Sequence, residues 1–219
     1  FKSFLIKNNK ISEDWNSLNI ISENASSVGG FDLGIYKTVD GSNEILKDLE
    51  NNKFEIIYLL GQDNIKFNKK NEFVIYQGSH GDRGAEMADI ILPGAAYTEQ
   101  SGYYTNVEGK LQKAYKASYP PEEAKEDWQI INEIAEIMNN RKLFNDKDEL
   151  QSSLINQINL MIEKNKSKNA TLIENLTFEK EILKIDSKDY YHSNVIARAS
   201  KTMSECKLAK INFKSTGTE

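Results

Sequence analysis

Cysteine is almost absent from this sequence. The single cysteine, Cys206, excludes an internal disulfide framework, and one thiolate cannot supply the ligand set of a zinc ion or an iron–sulfur cluster. Any redox centre that works with this chain is therefore expected on other polypeptide. Cys206 falls on the apolar side of a predicted C-terminal helix, where a free cysteine is expected to pack as a small hydrophobe.

Long apolar runs are also missing. No stretch approaches the roughly 18 consecutive apolar residues of a membrane span. The first residues, FKSFLIK, are too short and too soon charged for a span or a secretory signal. We therefore expect no direct membrane insertion. The first residue is Phe1 rather than methionine, which indicates a processed or excised chain.

An excess of positive charge is lacking as well. The sequence holds 28 Lys and Arg against 33 Asp and Glu, a net charge of −5, and its lysines are spread among the acids. Nucleic-acid affinity depends mainly on clustered Lys and Arg, so we expect no nucleic-acid partner. With 219 residues, 39% of them hydrophobic, the chain is long enough to bury a core.

Three short apolar runs indicate strands, at residues 54–60, 73–76 and 89–92. Gly61 closes the first run, and Pro93 and Gly94 close the last. Nearly continuous apolar runs are typical of parallel strands covered on both faces. With helices between them, the runs predict an α/β fold: a parallel, Rossmann-like sheet of short buried strands flanked by helices.

Helical periodicity fills much of the remaining chain. It predicts helices at 12–28, 43–51, 120–138, 150–162 and 193–210. Gly29 and Gly30 are expected to end the first helix, and Pro120 to begin the third. The core-facing residues of the third are expected to be Trp128, Ile131, Ala135 and Met138. We predict an N-terminally incomplete α/β domain at 1–140 and a mostly helical extension at 141–219.

The glycine-rich loop at 78–84 follows the second predicted strand, where doubly wound sheets place ligand-binding loops. It lacks the glycine spacing of a P-loop or a dinucleotide fingerprint, so a tight turn that needs its three glycines is the simpler interpretation. His80 and Asp82 are residue types that bind metals or exchange protons. The other histidine, His192, is far along the chain. We expect a hydrogen-bonded loop histidine, no metal site and no catalytic residue.

The most informative stretch is ADIILPGAAYTEQSGYYTNVEGK, at residues 88–110. Its small residues permit close backbone approach and indicate a tight, partly buried loop after a strand. The stretch resembles a signature shared by molybdopterin-dependent oxidoreductases and the related large iron–sulfur subunit of respiratory complex I. The complex I branch is more similar, through the segments at 14–34, 75–87, 119–137 and 192–206. The resemblance runs from about 14 to 206, with 140–186 diverged.

This resemblance implies a structural part of the peripheral arm of complex I, which supports electron transfer from NADH to quinone. It implies that the iron–sulfur clusters belong to an N-terminal portion, upstream or on a separate polypeptide, and that this chain holds no cofactor. Partners would be other peripheral-arm subunits, above all that iron–sulfur portion. The location would be the matrix side of the mitochondrial inner membrane, or the cytoplasmic side in a bacterium.

In the molybdenum-containing relatives the matching segment lies close to the pterin, so the resemblance implies a vestigial pocket here. Its residues would be Gly78, His80, Gly81, Asp82, Gly84, Asp89, Glu99, Asn106, Glu108 and Gly109. Ser79 stands where the family commonly has a second histidine, and Lys110 where arginine is usual. Lysine lacks the planar fork that grips an anion. The alternatives are a fragment that still binds molybdopterin, and a nucleotide-binding module, which would need a phosphate loop.

Overall fold

The computed structural model describes residues 2–12, 17, 24–35, 39–65, 67–166 and 189–215. The chain forms two compact units. The first combines residues 1–38, 102–114 and 144–184, and the second combines 39–101, 115–143 and 185–219. The division at residue 140, drawn from the sequence, stays a prediction. Among the described residues, no helix has both the length and the apolarity needed to cross a membrane.

A parallel sheet of three strands is the centre of the second unit. Its strands lie in chain order: β1 (Ile56–Leu60), β2 (Phe73–Gly78) and β3 (Ile90–Pro93). Tyr58 pairs with Ile75, which in turn pairs with Ile90. The predicted strands and the α/β class are confirmed.

The core of the second unit lies on one face of this sheet. Leu59, Val74 and Tyr76 are 4%, 0% and 1% exposed. The side chains packed against them come from β1, the β1–β2 connection and the region around a short helix, α4 (Arg83–Glu86): Ile57, Ile65, Phe67, Ala85 and Ala88. The cover expected on both faces is thus found on one face, while apolar side chains of the opposite face stay exposed in the described part of the chain.

Four further helices belong to the second unit: α3 (Val39–Glu50), α5 (Asp127–Asn139), α7 (Val195–Ala199) and α8 (Lys201–Ser215). The helix predicted from Pro120 begins later, at Asp127. A capping box between Glu126 and Gln129 fixes this start. Lys125 is unavailable to a helix because its backbone pairs with the chain around Gly94.

The buried face of α5 also differs from the predicted one. Ile130 and Asn132 are buried together with the predicted Ala135, whereas Ile131 is only partly buried. Met138 is 76% exposed because it lies near the open end of the helix. The later start of α5 has shifted the packed stripe.

The predicted C-terminal helix is divided in two. Asn194, rather than Ser193, caps α7 by accepting from the Ala197 N–H. Ser200 interrupts the helix with an extended backbone, and α8 follows. Cys206 is exposed on α8, so its predicted packing is wrong.

The first unit contains three helices and a hairpin: α1 (Lys2–Lys7), α2 (Ser27–Asp32), β4 (Gly102–Thr105), β5 (Leu111–Ala114) and α6 (Lys147–Lys166). The helix predicted at 150–162 is confirmed within α6. The helix predicted at 12–28 falls largely on residues outside the described ranges.

Gly29 and Gly30 do not end a helix, contrary to the prediction, because both lie inside α2. A Cβ on Gly29 would lie 3.2 Å from the Thr105 Oγ1, so this glycine lets α2 approach β4 closely. The Ser26 hydroxyl accepts from the Thr105 N–H at 3.1 Å beside this contact. The glycine is therefore a packing residue.

Candidate functional site

A cavity of about 650 Å³ opens at the carboxyl ends of β2 and β3. This is the end of a parallel sheet at which α/β proteins bind ligands. The loop after β2, the segment after β3 and residues 121–124 form its walls. Of the residues predicted from the sequence, Gly78, His80 and Glu99 line it.

The glycines of the 78–84 loop serve close packing rather than a left-handed turn, since none of the three has a positive φ. A Cβ on Gly78 would lie 2.2 Å from the Tyr76 hydroxyl, and one on Gly84 would lie 2.4 Å from the Gln62 carbonyl oxygen. A Cβ on Gly81 would meet no atom within 4 Å. The predicted turn with three necessary glycines is therefore corrected: two are necessary, for steric reasons.

His80 is hydrogen-bonded within its own loop, as expected. Its Nδ1 lies 3.0 Å from the Ser79 Oγ, and its carbonyl oxygen lies 2.9 Å from the Tyr76 hydroxyl. Tyr76 also lies 2.7 Å from a carboxylate oxygen of Asp63. Within the described ranges, no group of three or more His, Cys, Asp or Glu side chains is placed to hold a metal ion.

Asp82 joins the loop to the C-terminal part of the second unit. One carboxylate oxygen accepts from the Arg83 N–H at 2.9 Å and so caps α4. The other accepts from the Arg198 Nε of α7 at 2.5 Å, and Asp63 lies 4.0 Å from the same guanidinium. Burial alone would raise the pKa of Asp82, but the hydrogen bonds from Arg198 and the Arg83 N–H lower this pKa below its usual range. The carboxylate is occupied by structural contacts.

Asp89 lies at the opposite end of the sheet from the cavity. Its carboxylate accepts from the Lys69 ammonium at 2.6 Å and from the Val74 N–H at 2.7 Å. These two hydrogen bonds, that of Lys69 first, lower the pKa of Asp89. The structure therefore places Asp89 apart from the cavity and gives it a role in joining β2 to the start of β3.

Asn106, Glu108 and Gly109 belong to the first unit, where they form the turn between β4 and β5. The Asn106 side-chain oxygen accepts from the Glu108 N–H at 3.0 Å and from the Lys110 N–H at 2.8 Å. Gly109 has a φ of +82°, in the left-handed region that favours glycine. Turn geometry accounts for these three residues.

A buried polar network, which sequence reasoning missed, lies beneath the cavity. Gln77 is 0% exposed, and its amide donates to the Asp127 carboxylate at 2.7 Å. The Gln100 amide donates to the other Asp127 oxygen at 3.0 Å, and the Tyr58 hydroxyl donates to the Gln77 side-chain oxygen. Burial, together with the nearby charge of Asp127, raises the pKa of Tyr58. The network joins β1, β2, the segment after β3 and the start of α5.

Two signals in the sequence point to this network. Gln77 is a polar residue that directly continues an apolar strand, and Asp127 carries negative charge at the start of a helix, where the dipole favours it. Their contact across 50 residues has no sequence signal. A Cβ on Gly94 would lie 2.9 Å from the Asp127 carboxylate, so this glycine leaves room for the network.

The cavity does not fit an anionic pterin cofactor. Its described lining contains three carboxylates, those of Glu99, Glu122 and Glu123, and no lysine or arginine. The phosphate of a pterin would meet like charge there, and like charges close together repel. Glu99 is partly occupied because it accepts from the Ala96 N–H at 2.9 Å.

The profiles of two protein families match the chain. The molybdopterin oxidoreductase family matches residues 1–137. The family formed by the C-terminal region of the G-type subunit of NADH-ubiquinone oxidoreductase matches residues 156–206. The first match contains the parallel sheet and the cavity, and the second contains part of α6, all of α7 and the start of α8.

Curated relatives match along most of the chain. The NADH-ubiquinone oxidoreductase 75 kDa subunit of Reclinomonas americana is 41% identical, over 88% of this chain and 29% of the relative. The matching NADH-quinone oxidoreductase subunit from Rickettsia bellii is 40% identical, over 96% and 30%. The mitochondrial NADH-ubiquinone oxidoreductase 78 kDa subunit of Candida albicans is 38% identical, over 89% and 28%.

The chain thus spans about three tenths of the length of these relatives. Their names agree with the resemblance found in the sequence, and the match to a molybdopterin oxidoreductase profile agrees with the parallel sheet and the position of the cavity. The chain belongs to the molybdopterin oxidoreductase family, in the branch formed by the C-terminal part of the large iron–sulfur subunit of complex I.

Proposed function

We propose that this chain is a structural part of the peripheral arm of complex I and contributes no catalytic residue to the oxidation of NADH by quinone. The relatives are named as subunits of NADH-quinone or NADH-ubiquinone oxidoreductases. The chain would act by position, since a rigid domain that excludes solvent holds neighbouring electron carriers at fixed separations.

One observation carries this proposal: several polar side chains around the candidate site are bound to other parts of the same unit. Asp82 is held by Arg198, and Asp89 is held by Lys69. Asp127 accepts from two glutamine side chains. Catalytic acids and bases need a free proton site within reach of a substrate. A carboxylate occupied in this way stabilises the fold instead.

The partners follow from the same proposal. The iron–sulfur clusters would be held by the portion of the large subunit that this chain does not include, and that portion would be the main partner. The assembly would be membrane-associated, with this chain on the matrix side in mitochondria or on the cytoplasmic side in bacteria.

We further propose that this chain binds no molybdopterin, because its cavity is lined by carboxylates. The alternative, a fragment that still binds the cofactor, is favoured by the cavity's volume and by its place at the strand ends. Molybdenum analysis of the assembled complex separates the two candidates.

His80→Ala tests the absence of a catalytic role. The His80 ring contacts the Ser79 hydroxyl, so we expect NADH:quinone reductase activity per assembled complex to stay within about twofold of wild type. Loss of a general acid or base would instead reduce this activity by about a hundredfold or more, which would contradict the proposal. Asp127→Ala is the control: it should reduce the amount of assembled complex and leave the activity per complex unchanged.

A further inference from the structure

One face of the parallel sheet carries an uncovered apolar surface. Parallel strands in register place paired residues on the same face, so Ile56, Tyr58 and Leu60 of β1 share a face with Phe73 of β2 and Ile90 of β3. These five side chains are 65%, 38%, 47%, 43% and 45% exposed, in that order. We call them the open sheet face.

The position of α5 explains why this surface is open. Its first residue, Asp127, binds Gln77, and Gln77 is 0% exposed at the carboxyl end of the same face. Ile130 of α5 and Leu92 of β3 line a common cavity at that end. The amino-terminal part of the face therefore has no such cover among the described residues. Parallel sheets in α/β proteins are covered on both faces, so a layer is missing.

The chemistry of the open sheet face defines the kind of partner. All five side chains are uncharged, and four are hydrocarbon. A contiguous apolar surface of this kind marks a contact with another apolar surface. Helices are the layer that covers parallel sheets. The expected partner is therefore the apolar stripe of an amphipathic helix.

We propose that this helix is supplied by the portion of the large subunit that lies outside this chain. The inference rests on the proposed function. The chain covers only 28% to 30% of the length of three relatives, so each of them has ample further sequence to provide the layer. β1 also stands at the edge of the sheet with no strand beside it in the described structure. An open edge and an open face at the same strand fit the continuation of one fold.

Photo-crosslinking in the assembled complex tests this inference. Phe73 is replaced by p-benzoylphenylalanine in the tagged chain, the complex is captured and irradiated, and the linked peptides are identified by mass spectrometry. We expect Phe73 to link to the remaining portion of the large subunit. Phe67, which packs on the covered face of the same sheet, is the matched control and should link within the chain.

Three outcomes would overturn the inference: linkage of Phe73 to a second copy of this chain, linkage to a different subunit, or no linkage when the chain is present in the complex. Absence of the chain from every complex I assembly would instead overturn the proposed function, and this inference with it. The two failures are distinguishable because the capture step reports assembly before any irradiation.

Ile90→Glu provides an independent measurement. Ile90 is 45% exposed, so the unfolding midpoint of the isolated chain should stay unchanged. A buried charge opposes docking, and the fraction of chain recovered in the complex should fall about tenfold. Unchanged recovery would contradict the inference.

Discussion

Gly84 shows how single residues hold the loop of the candidate site in place. Its backbone lies against the Gln62 carbonyl oxygen and the Tyr76 ring, where a Cβ would come within 2.4 Å and 3.1 Å. Gly81, three residues before it, has open space around the same position and no positive φ. The two glycines therefore form a matched pair for substitution.

Gly84→Ala should lower the free energy of unfolding by about 1–3 kcal/mol, because backbone and a buried ring must move to admit the methyl group. Gly81→Ala should change it by no more than about 0.5 kcal/mol. Urea unfolding followed by circular dichroism measures both values. Equal effects of the two substitutions would show that the close approach at Gly84 is not the constraint.

Asp82→Asn should lower the free energy of unfolding by about 1–3 kcal/mol, since it weakens a charge-assisted hydrogen bond between half-buried partners, 18% and 23% exposed. Asp48→Asn is the control. The Asp48 partner, Lys53, is 62% exposed, and such surface pairs contribute about 1 kcal/mol or less. A smaller loss for Asp82→Asn than for Asp48→Asn, measured by urea unfolding, would contradict the role of the Arg198 contact.

The pH dependence of this contact follows from the lowered pKa of Asp82. A carboxylate with a depressed folded-state pKa contributes stability that is complete above its unfolded-state pKa, about 4, and is lost as the pH falls through the folded-state pKa. The stability difference between wild type and Asp82→Asn should thus be constant above about pH 5 and shrink below about pH 4. A difference that grows on acidification would contradict this assignment.

At the scale of elements, the sheet and α5 are joined by the network of Gln77, Gln100 and Asp127. Asp127→Ala removes the acceptor for two amide groups and leaves the buried Gln77 amide without its carboxylate partner. We expect a loss of about 2–3 kcal/mol in the free energy of unfolding. Glu133→Ala, on the exposed side of α5, should cost about 1 kcal/mol or less. Similar losses in urea unfolding would mean that the network does not join these elements.

The sequence predicted the elements better than their boundaries and contacts. Apolar runs located β1, β2 and β3 because a strand's signal is local. The start of α5 was misplaced because Pro120 is a local start signal, whereas the actual start depends on Glu126 with Gln129 and on the pairing of Lys125 near Gly94. The pairs of Asp82 with Arg198 and of Gln77 with Asp127 join residues far apart in the chain, and no local pattern encodes them.

The candidate site was predictable only in its location. The loop after β2 and the segment after β3 do line one cavity. Asp89 lies at the other end of the sheet, and the Asn106 turn belongs to the first unit. A shared sequence signature groups residues that are close along the chain, and folding separates those whose side chains meet different elements.

At the scale of the whole molecule, the chain combines a parallel sheet, a cavity at its carboxyl end and an apolar face without cover in the described structure. Each feature fits part of a larger assembly better than an enzyme that acts alone. The cavity is acidic where an anionic cofactor would bind, and the open sheet face needs a further layer. The length of the relatives leaves room for that layer.

The central claim is tested most directly by native-gel separation of detergent-solubilised complexes from the source organism, with subunit mass spectrometry and with iron and molybdenum analysis of the band that contains this chain. We expect the chain to migrate with flavin and iron–sulfur subunits of complex I, in a band rich in iron and free of molybdenum. Stoichiometric molybdenum in a band without those subunits would contradict the account.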